Sequence, residues 1–207
     1  MEIIPVKYAE SVLPESMIFE NGDKHKTRPI VFKIYLIKTL GHNILVDAGC
    51  ETMPGFDMKN FIGPVKALEN IGVRPADITD IVITHAHHDH IECVKYFRNA
   101  VIHIESKEYQ AGAKYIPDTF KVNVFCDEFT LCENVCLIKI GGHSAGSCIV
   151  EIKAGDSVYI IAGDECYLRE CLKKKIPTGA SFCPEKSKAF IDKYSAEPYR
   201  VLLCHDA

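Results

Sequence analysis

Apolar residues in this chain fall in short runs rather than long ones. Asp80-Ile81-Val82-Ile83-Thr84 is a continuous apolar segment held between polar residues, the pattern of a strand buried on both faces. Val31 to Ile37 and Asn43 to Val46 read as strands joined by a turn around Leu40-Gly41-His42. Val101 to Ile104 reads as another, followed by a helix from about Ser106 to Ala113. Pro64 to Ile71 puts Val65, Leu68 and Ile71 near one face of a helix, and Pro64 and Pro75 both suit a first helical turn. Ile91 to Arg98 also reads as a helix. The second half supplies strand-like runs at Val122 to Phe125, Val135 to Ile140, Cys148 to Lys153 and Val158 to Ile161. Lys186 to Tyr194 reads as a helix with Pro184-Glu185 at its start, and Val201 to Cys204 as a last strand. Periodicity alone gives a mixed α and β chain, without a regular βαβ repeat, internal repeat or linker.

Composition narrows this picture. The 207 residues are enough for one domain with a sizeable core, so residues 1–207 are read as a single domain. A net charge of -4 lacks the basic footprint of a nucleic-acid binder, and the Lys173-Lys174-Lys175 cluster reads as a solvated face. Nothing resembles a secretory signal or a run of apolar residues long enough to span a bilayer, so the expected location is cytoplasmic and no membrane partner is expected. The ten cysteines contain no CxxC pair, and reduced thiols are expected for most of them.

The chemistry concentrates in Thr84-His85-Ala86-His87-His88-Asp89-His90, directly after the Asp80–Ile83 run. Imidazole and carboxylate together suit zinc, and also iron and manganese. His85 and His87, two apart, can point the same way, while Asp89 and His90 approach from a second direction where a helix begins. One short turn can therefore serve two adjacent metals. Three further polar residues each stand just past an expected strand: His143 in Gly141-Gly142-His143-Ser144-Ala145-Gly146, Asp164 after Tyr159-Ile160-Ile161-Ala162-Gly163, and His205 after Val201-Leu202-Leu203-Cys204. Strand carboxyl ends are where open α/β sheets collect ligands. His88 occupies a variable position between ligands and reads as a supporting or solvent-facing residue. His25, His42 and His103 read as ordinary surface or loop residues.

His-x-His-x-Asp-His, then Gly-His-x-x-Gly, then Gly-Asp, then a final His, in this order, resembles the metallo-β-lactamase superfamily. The resemblance runs from Asp47-Ala48-Gly49 to His205. It implies an αββα sandwich of two mixed β-sheets flanked by helices. It also implies two divalent metal ions, most simply zinc, with iron or manganese as substitutes. By position, His85, His87 and His143 would hold one ion, Asp89, His90 and His205 the other, and Asp164 would bridge. The turn here is Gly-His-Ser-Ala-Gly where many members have Gly-His-Thr-Pro-Gly, a change that leaves the ligand in place.

Within that superfamily, Asp164-Glu165-Cys166-Tyr167 is similar to N-acyl-homoserine lactone lactonases, which place a tyrosine three residues after the bridging aspartate. The resemblance implies that Tyr167 orients and polarises a lactone carbonyl, since a phenol can donate to a developing oxyanion. Asp89, beside the attacking water, could accept or return a proton. The expected activity is opening of a lactone, or cleavage of a related ester, by a metal-bridging hydroxide acting on a small-molecule substrate. Thioester hydrolysis and an iron-dependent sulfur dioxygenase are the alternatives within the family. A flavodiiron-type oxidoreductase fits less well, because His87 stands where such proteins usually carry a carboxylate. A non-catalytic metal-binding domain is the remaining alternative.

Overall fold

The computed structural model describes residues 1–207. The chain folds as β1 (Glu2–Pro14), α1 (Glu15–Ile18), β2 (Thr27–Thr39), β3 (His42–Val46), α2 (Pro64–Asn70), β4 (Asp80–Ile83), α3 (His88–Ile91), β5 (Val101–Glu105), α4 (Ser106–Gly112), β6 (Lys121–Phe125), β7 (Glu128–Cys132), β8 (Val135–Lys139), β9 (Cys148–Ala154), β10 (Ser157–Ile161), α5 (Arg169–Lys174), α6 (Pro184–Tyr194) and β11 (Tyr199–Leu202). Two compact units result: Met1–Ser11 with Val31–Phe125, and Val12–Ile30 with Cys126–Ala207.

The first unit is built on the six-stranded sheet, ordered β1-β2-β3-β4-β5-β6. β2 and β3 are antiparallel, whereas β3, β4, β5 and β6 run parallel. Parallel strands covered on both faces are apolar throughout, and all four residues of β4 are buried. Ile44, Leu45, Val46, Ile81, Val82, Ile102 and Ile104 form the core of this unit. The parallel pairing places the ends of β3 and β4 side by side, so Asp47 and the His85 turn emerge together.

The second unit is built on the five-stranded sheet, ordered β11-β10-β9-β8-β7. β7 to β10 are antiparallel neighbours, and β10 pairs with β11 in parallel. Leu137, Ile149, Val150, Ile152, Ile160 and Ile161 are buried, together with Phe190 and Ile191 of α6. The parallel β10–β11 pair again sets two chain ends side by side, those leading to Asp164 and His205. No helix is long and apolar enough to cross a membrane.

Several elements depart from the sequence reading. The helix expected over Ile91 to Arg98 is instead a single α turn, His88–Ile91, followed by a 3-10 helix over Glu92–Tyr96. β1, β7 and α5 were not expected at all. His103 is not a surface residue: it lies buried on β5, with Nε2 2.9 Å from Asp80 Oδ1. His42 on β3 is half-buried, with Nδ1 2.7 Å from the other oxygen of Asp80.

Candidate metal centre

In the first unit the site starts from Asp47, which directly follows β3 in the left-handed backbone region at φ 63° and is 1% exposed. Its Oδ1 accepts from the main-chain N–H of Thr84 at 2.8 Å, and the Thr84 hydroxyl donates to Oδ2 at 2.9 Å. Its Oδ2 accepts from His90 Nδ1 at 2.8 Å. One carboxylate thus anchors both the beginning and the end of the histidine string. Glu108 anchors the middle: its Oε2 accepts from the Ala86 N–H at 2.8 Å. Tyr8 reaches the same turn from β1, donating its hydroxyl to the Asp89 carbonyl at 3.3 Å.

These anchors gather the four expected donors. The rings of His85 and His87 lie 4.6 Å apart, edge to face, and those of His85 and His90 4.0 Å apart. His90 Nε2 is 3.6 Å from Asp89 Oδ2. His85, Asp89 and His90 are buried, and His87 is exposed. His88 turns aside, with Nδ1 3.1 Å from the Tyr115 hydroxyl.

In the second unit the loop between β8 and β9 carries His143. It is closed by the N–H groups of Ile140 and Gly141, both donating to the Ser147 carbonyl at 2.9 Å, with Gly141 at φ 72°. Asp164 follows β10 on a 3-10 turn over Gly163–Glu165. Its two oxygens face different imidazoles: Oδ1 is 3.1 Å from His205 Nε2, and Oδ2 is 3.6 Å from His143 Nε2. The Tyr167 ring stacks on His205 at 5.2 Å and 20°, and meets His143 edge-on at 6.1 Å. Tyr167 is 3% exposed, so its phenol belongs to the same buried cluster.

The donor set fits divalent metals in its tautomers as well as its composition. His143 Nδ1 donates to the Ala180 carbonyl at 2.6 Å, so the lone pair of the neutral ring lies on Nε2. His90 Nδ1 faces a carboxylate, with the same consequence. In each case the nitrogen left for ligation is the one turned towards the neighbouring carboxylate, Asp164 or Asp89. Histidines oriented by a second hydrogen bond in this way are characteristic of metal sites.

Glu165, which no sequence motif singles out, lies against the His143 loop. It is fully buried, and its Oε1 accepts from the N–H groups of Gly142 at 3.1 Å and His143 at 3.3 Å and from the Ser147 hydroxyl at 2.5 Å. Burial pushes its carboxyl up to about 7, although all three of these donors pull it down. The buried Cys166–Cys171 pair splits, the contact with Cys166 lowering the Cys171 thiol below its ordinary value. Contact with Cys171 and burial raise Cys166, and burial raises Cys50, beside Tyr8, to about 12. All ten cysteines are free thiols.

Proteins similar to this chain include metal-dependent hydrolases. A probable metallo-hydrolase of Methanocaldococcus jannaschii is 32% identical over 121 residues, covering 58% of this chain and 52% of its own length. An N-acyl homoserine lactonase of Bacillus thuringiensis is 26% identical over 138 residues, covering 62% of this chain and 54% of its own length. The chain thus spans about half the length of the curated relatives it matches. A solved N-acyl homoserine lactone hydrolase, with N-hexanoyl-L-homoserine bound at its catalytic metal centre, superimposes with a TM-score of 0.85 at 21% identity. It covers 99% of this chain and 92% of that one, and shares the fold of two mixed β-sheets flanked by helices. The family model for the metallo-beta-lactamase superfamily matches residues 33–189, a stretch that holds six of the seven expected ligands and both anchoring carboxylates of the histidine turn, and on this match the chain belongs to that superfamily.

Proposed function

We propose that this protein is a dinuclear metal-dependent hydrolase that opens a lactone or cleaves a related ester. His85, His87, Asp89 and His90 of the first unit and His143, Asp164 and His205 of the second are its ligand set. Asp164 would be the carboxylate shared by two divalent ions, with zinc the ion best suited to this mixture of imidazole and carboxylate. The observation that carries the reading is the Asp164 carboxylate, whose two oxygens face two separate imidazoles while a tyrosine three residues on packs against both rings. A carboxylate serving a single ion needs only one of those contacts.

When bound, such ions lower the pKa of water from 15.7 toward about 7 and polarise a carbonyl oxygen. The chain's own residues supply the rest. The Tyr167 phenol donates to the carbonyl oxygen as negative charge develops there, and the packing of its ring on His205 fixes where that hydroxyl can reach. Asp89 takes the proton released on attack and returns it to the alkoxide leaving group. The Nδ1 hydrogen bonds of His90 and His143 hold those rings in the ligating orientation throughout. The relatives' names support a lactone as the substrate class.

The test is a hydrolysis screen of zinc-reconstituted protein against lactones, thioesters, β-lactams and phosphodiesters, with the best substrate repeated in oxygen-18 water. A lactone is expected to turn over faster than a phosphodiester, without added flavin, nicotinamide or glutathione, and to carry the label in the new carboxylate. Label in the alcohol contradicts attack at the carbonyl carbon. A metal-loaded protein inert to every lactone and ester contradicts the substrate class.

A further inference from the structure

The mechanism above uses Asp164 and His143 but not the buried carboxylate between their backbones. We propose that Glu165 is a positioning residue that sets the His143 loop against the Asp164 turn, and so fixes the geometry at which these two ligands meet an ion. The proposal rests on the metal-centre reading of the preceding subsection.

The argument starts from adjacency. Asp164 and Glu165 are consecutive on one 3-10 turn, yet their side chains serve different ends of the same loop. Asp164 Oδ2 faces the His143 ring, while Glu165 Oε1 accepts from the His143 main chain, the Gly142 main chain and the Ser147 hydroxyl. The ring and the backbone of His143 are therefore both referred to a single short turn. The Gly142 carbonyl is held as firmly from the other side. It accepts from the N–H groups of Phe182 at 2.8 Å and Cys183 at 2.9 Å and from the Ser181 hydroxyl at 3.1 Å. Between these clamps there is no room for a side chain at position 142. A Cβ there would lie 2.3 Å from Glu165 Oε2 and 2.8 Å from Ser187 Oγ.

Burying a carboxylate is costly unless donors surround it, and a purely space-filling role would be served better by an apolar residue. Three donors converging on one oxygen, two of them main-chain N–H groups flanking and including a ligand residue, indicate a carbonyl-type acceptor placed for orientation. What the loop requires is that acceptor oxygen, not the charge. Glu165→Gln keeps it, and Glu165→Ala removes it.

The experiment titrates the metal-free full chain with cobalt(II), which reports its ligand geometry in visible absorption, and measures affinity by competition with a chelating dye. Wild-type protein is expected to develop the bands of an imidazole and carboxylate site. Glu165→Gln is expected to reproduce those bands, with affinity within about threefold. Glu165→Ala is expected to alter them and to weaken binding by roughly 10- to 100-fold, the range for loss of groups that orient ligands. A folded Glu165→Ala protein with the wild-type spectrum and affinity overturns the proposal. So does a Glu165→Gln protein as weak as Glu165→Ala. If Glu165→Ala does not fold, Ser147→Ala takes its place: a smaller but measurable change in spectrum and affinity supports the positioning role, and wild-type behaviour overturns it. Wild-type protein that takes up no cobalt at all overturns the metal centre itself, an outcome separate from each of these.

Discussion

Asp80 opens β4, and its carboxylate is shared with the neighbouring strands. His42 of β3 approaches Oδ2 at 2.7 Å, His103 of β5 approaches Oδ1 at 2.9 Å, and the Thr79 hydroxyl donates to Oδ2 at 2.7 Å. Asn123 of β6 meets the far nitrogen of His103 at 3.1 Å, so the network crosses the four parallel strands of the first sheet. Burial by itself would raise the Asp80 carboxyl. The hydrogen bonds from His103, His42 and Thr79 outweigh it and bring the group from 3.8 down to about 2. A folded-state value below the unfolded one contributes stability that is fully present above the unfolded value and lost as pH falls through the folded one. The depression from 3.8 to about 2 corresponds to about 2 kcal/mol. Asp80→Asn keeps the shape and one acceptor oxygen but removes the charge. In urea unfolding of metal-free protein at neutral pH, the variant is expected to be less stable by about 2 kcal/mol. That gap should narrow as pH falls from about 4 toward about 2, where the wild-type carboxylate also becomes neutral. Equal stability at neutral pH would refute the reasoning, as would a gap that persists undiminished at the acid end.

Three further outcomes follow from the site. Tyr167→Phe keeps the ring on His205 and should leave metal content intact while turnover falls roughly tenfold or more; full activity on every substrate found would remove Tyr167 from the mechanism. Gly142→Ala forces a Cβ to 2.3 Å from Glu165 Oε2, and should lower stability by about 1–3 kcal/mol in urea unfolding and reduce metal uptake as well. His205→Ala removes the imidazole 3.1 Å from Asp164 Oδ1, and should lower metal content, measured by elemental analysis, and lactone turnover together.

How much of this could be read in the sequence depended on distance along the chain. The histidine string is legible because a short, largely apolar strand and a ligand-rich turn lie within eleven consecutive positions, so local pattern and local chemistry coincide. His143, Asp164 and His205 were legible only as an ordered set, since each stands singly past its strand. β1 was missed because it carries Pro5 at its start and an inward-facing polar residue, Ser11, which breaks the alternation that marks a strand. The helix after Asp89 came out too long because the apolar spacing from Ile91 continues through Tyr96, while the backbone tightens to 3-10 geometry at Glu92. The roles of His42, His103 and Glu165 depend on partners 18 to 38 positions away, through contacts that sheet pairing and loop closure create and no local window contains. Glu165 also had a decoy beside it, because the resemblance drew the reading to Asp164 and Tyr167 on either side.

The central claim is that one chain holds two metal ions bridged by Asp164, and metal stoichiometry tests it most directly. Protein purified without chelator and equilibrated with zinc is analysed by elemental mass spectrometry against quantitative amino-acid analysis, in parallel with Asp164→Ala. The account predicts two ions per wild-type chain and one or fewer in the variant. A wild-type chain that stays at one ion or below after reconstitution, with Asp164→Ala unchanged from it, would contradict the account.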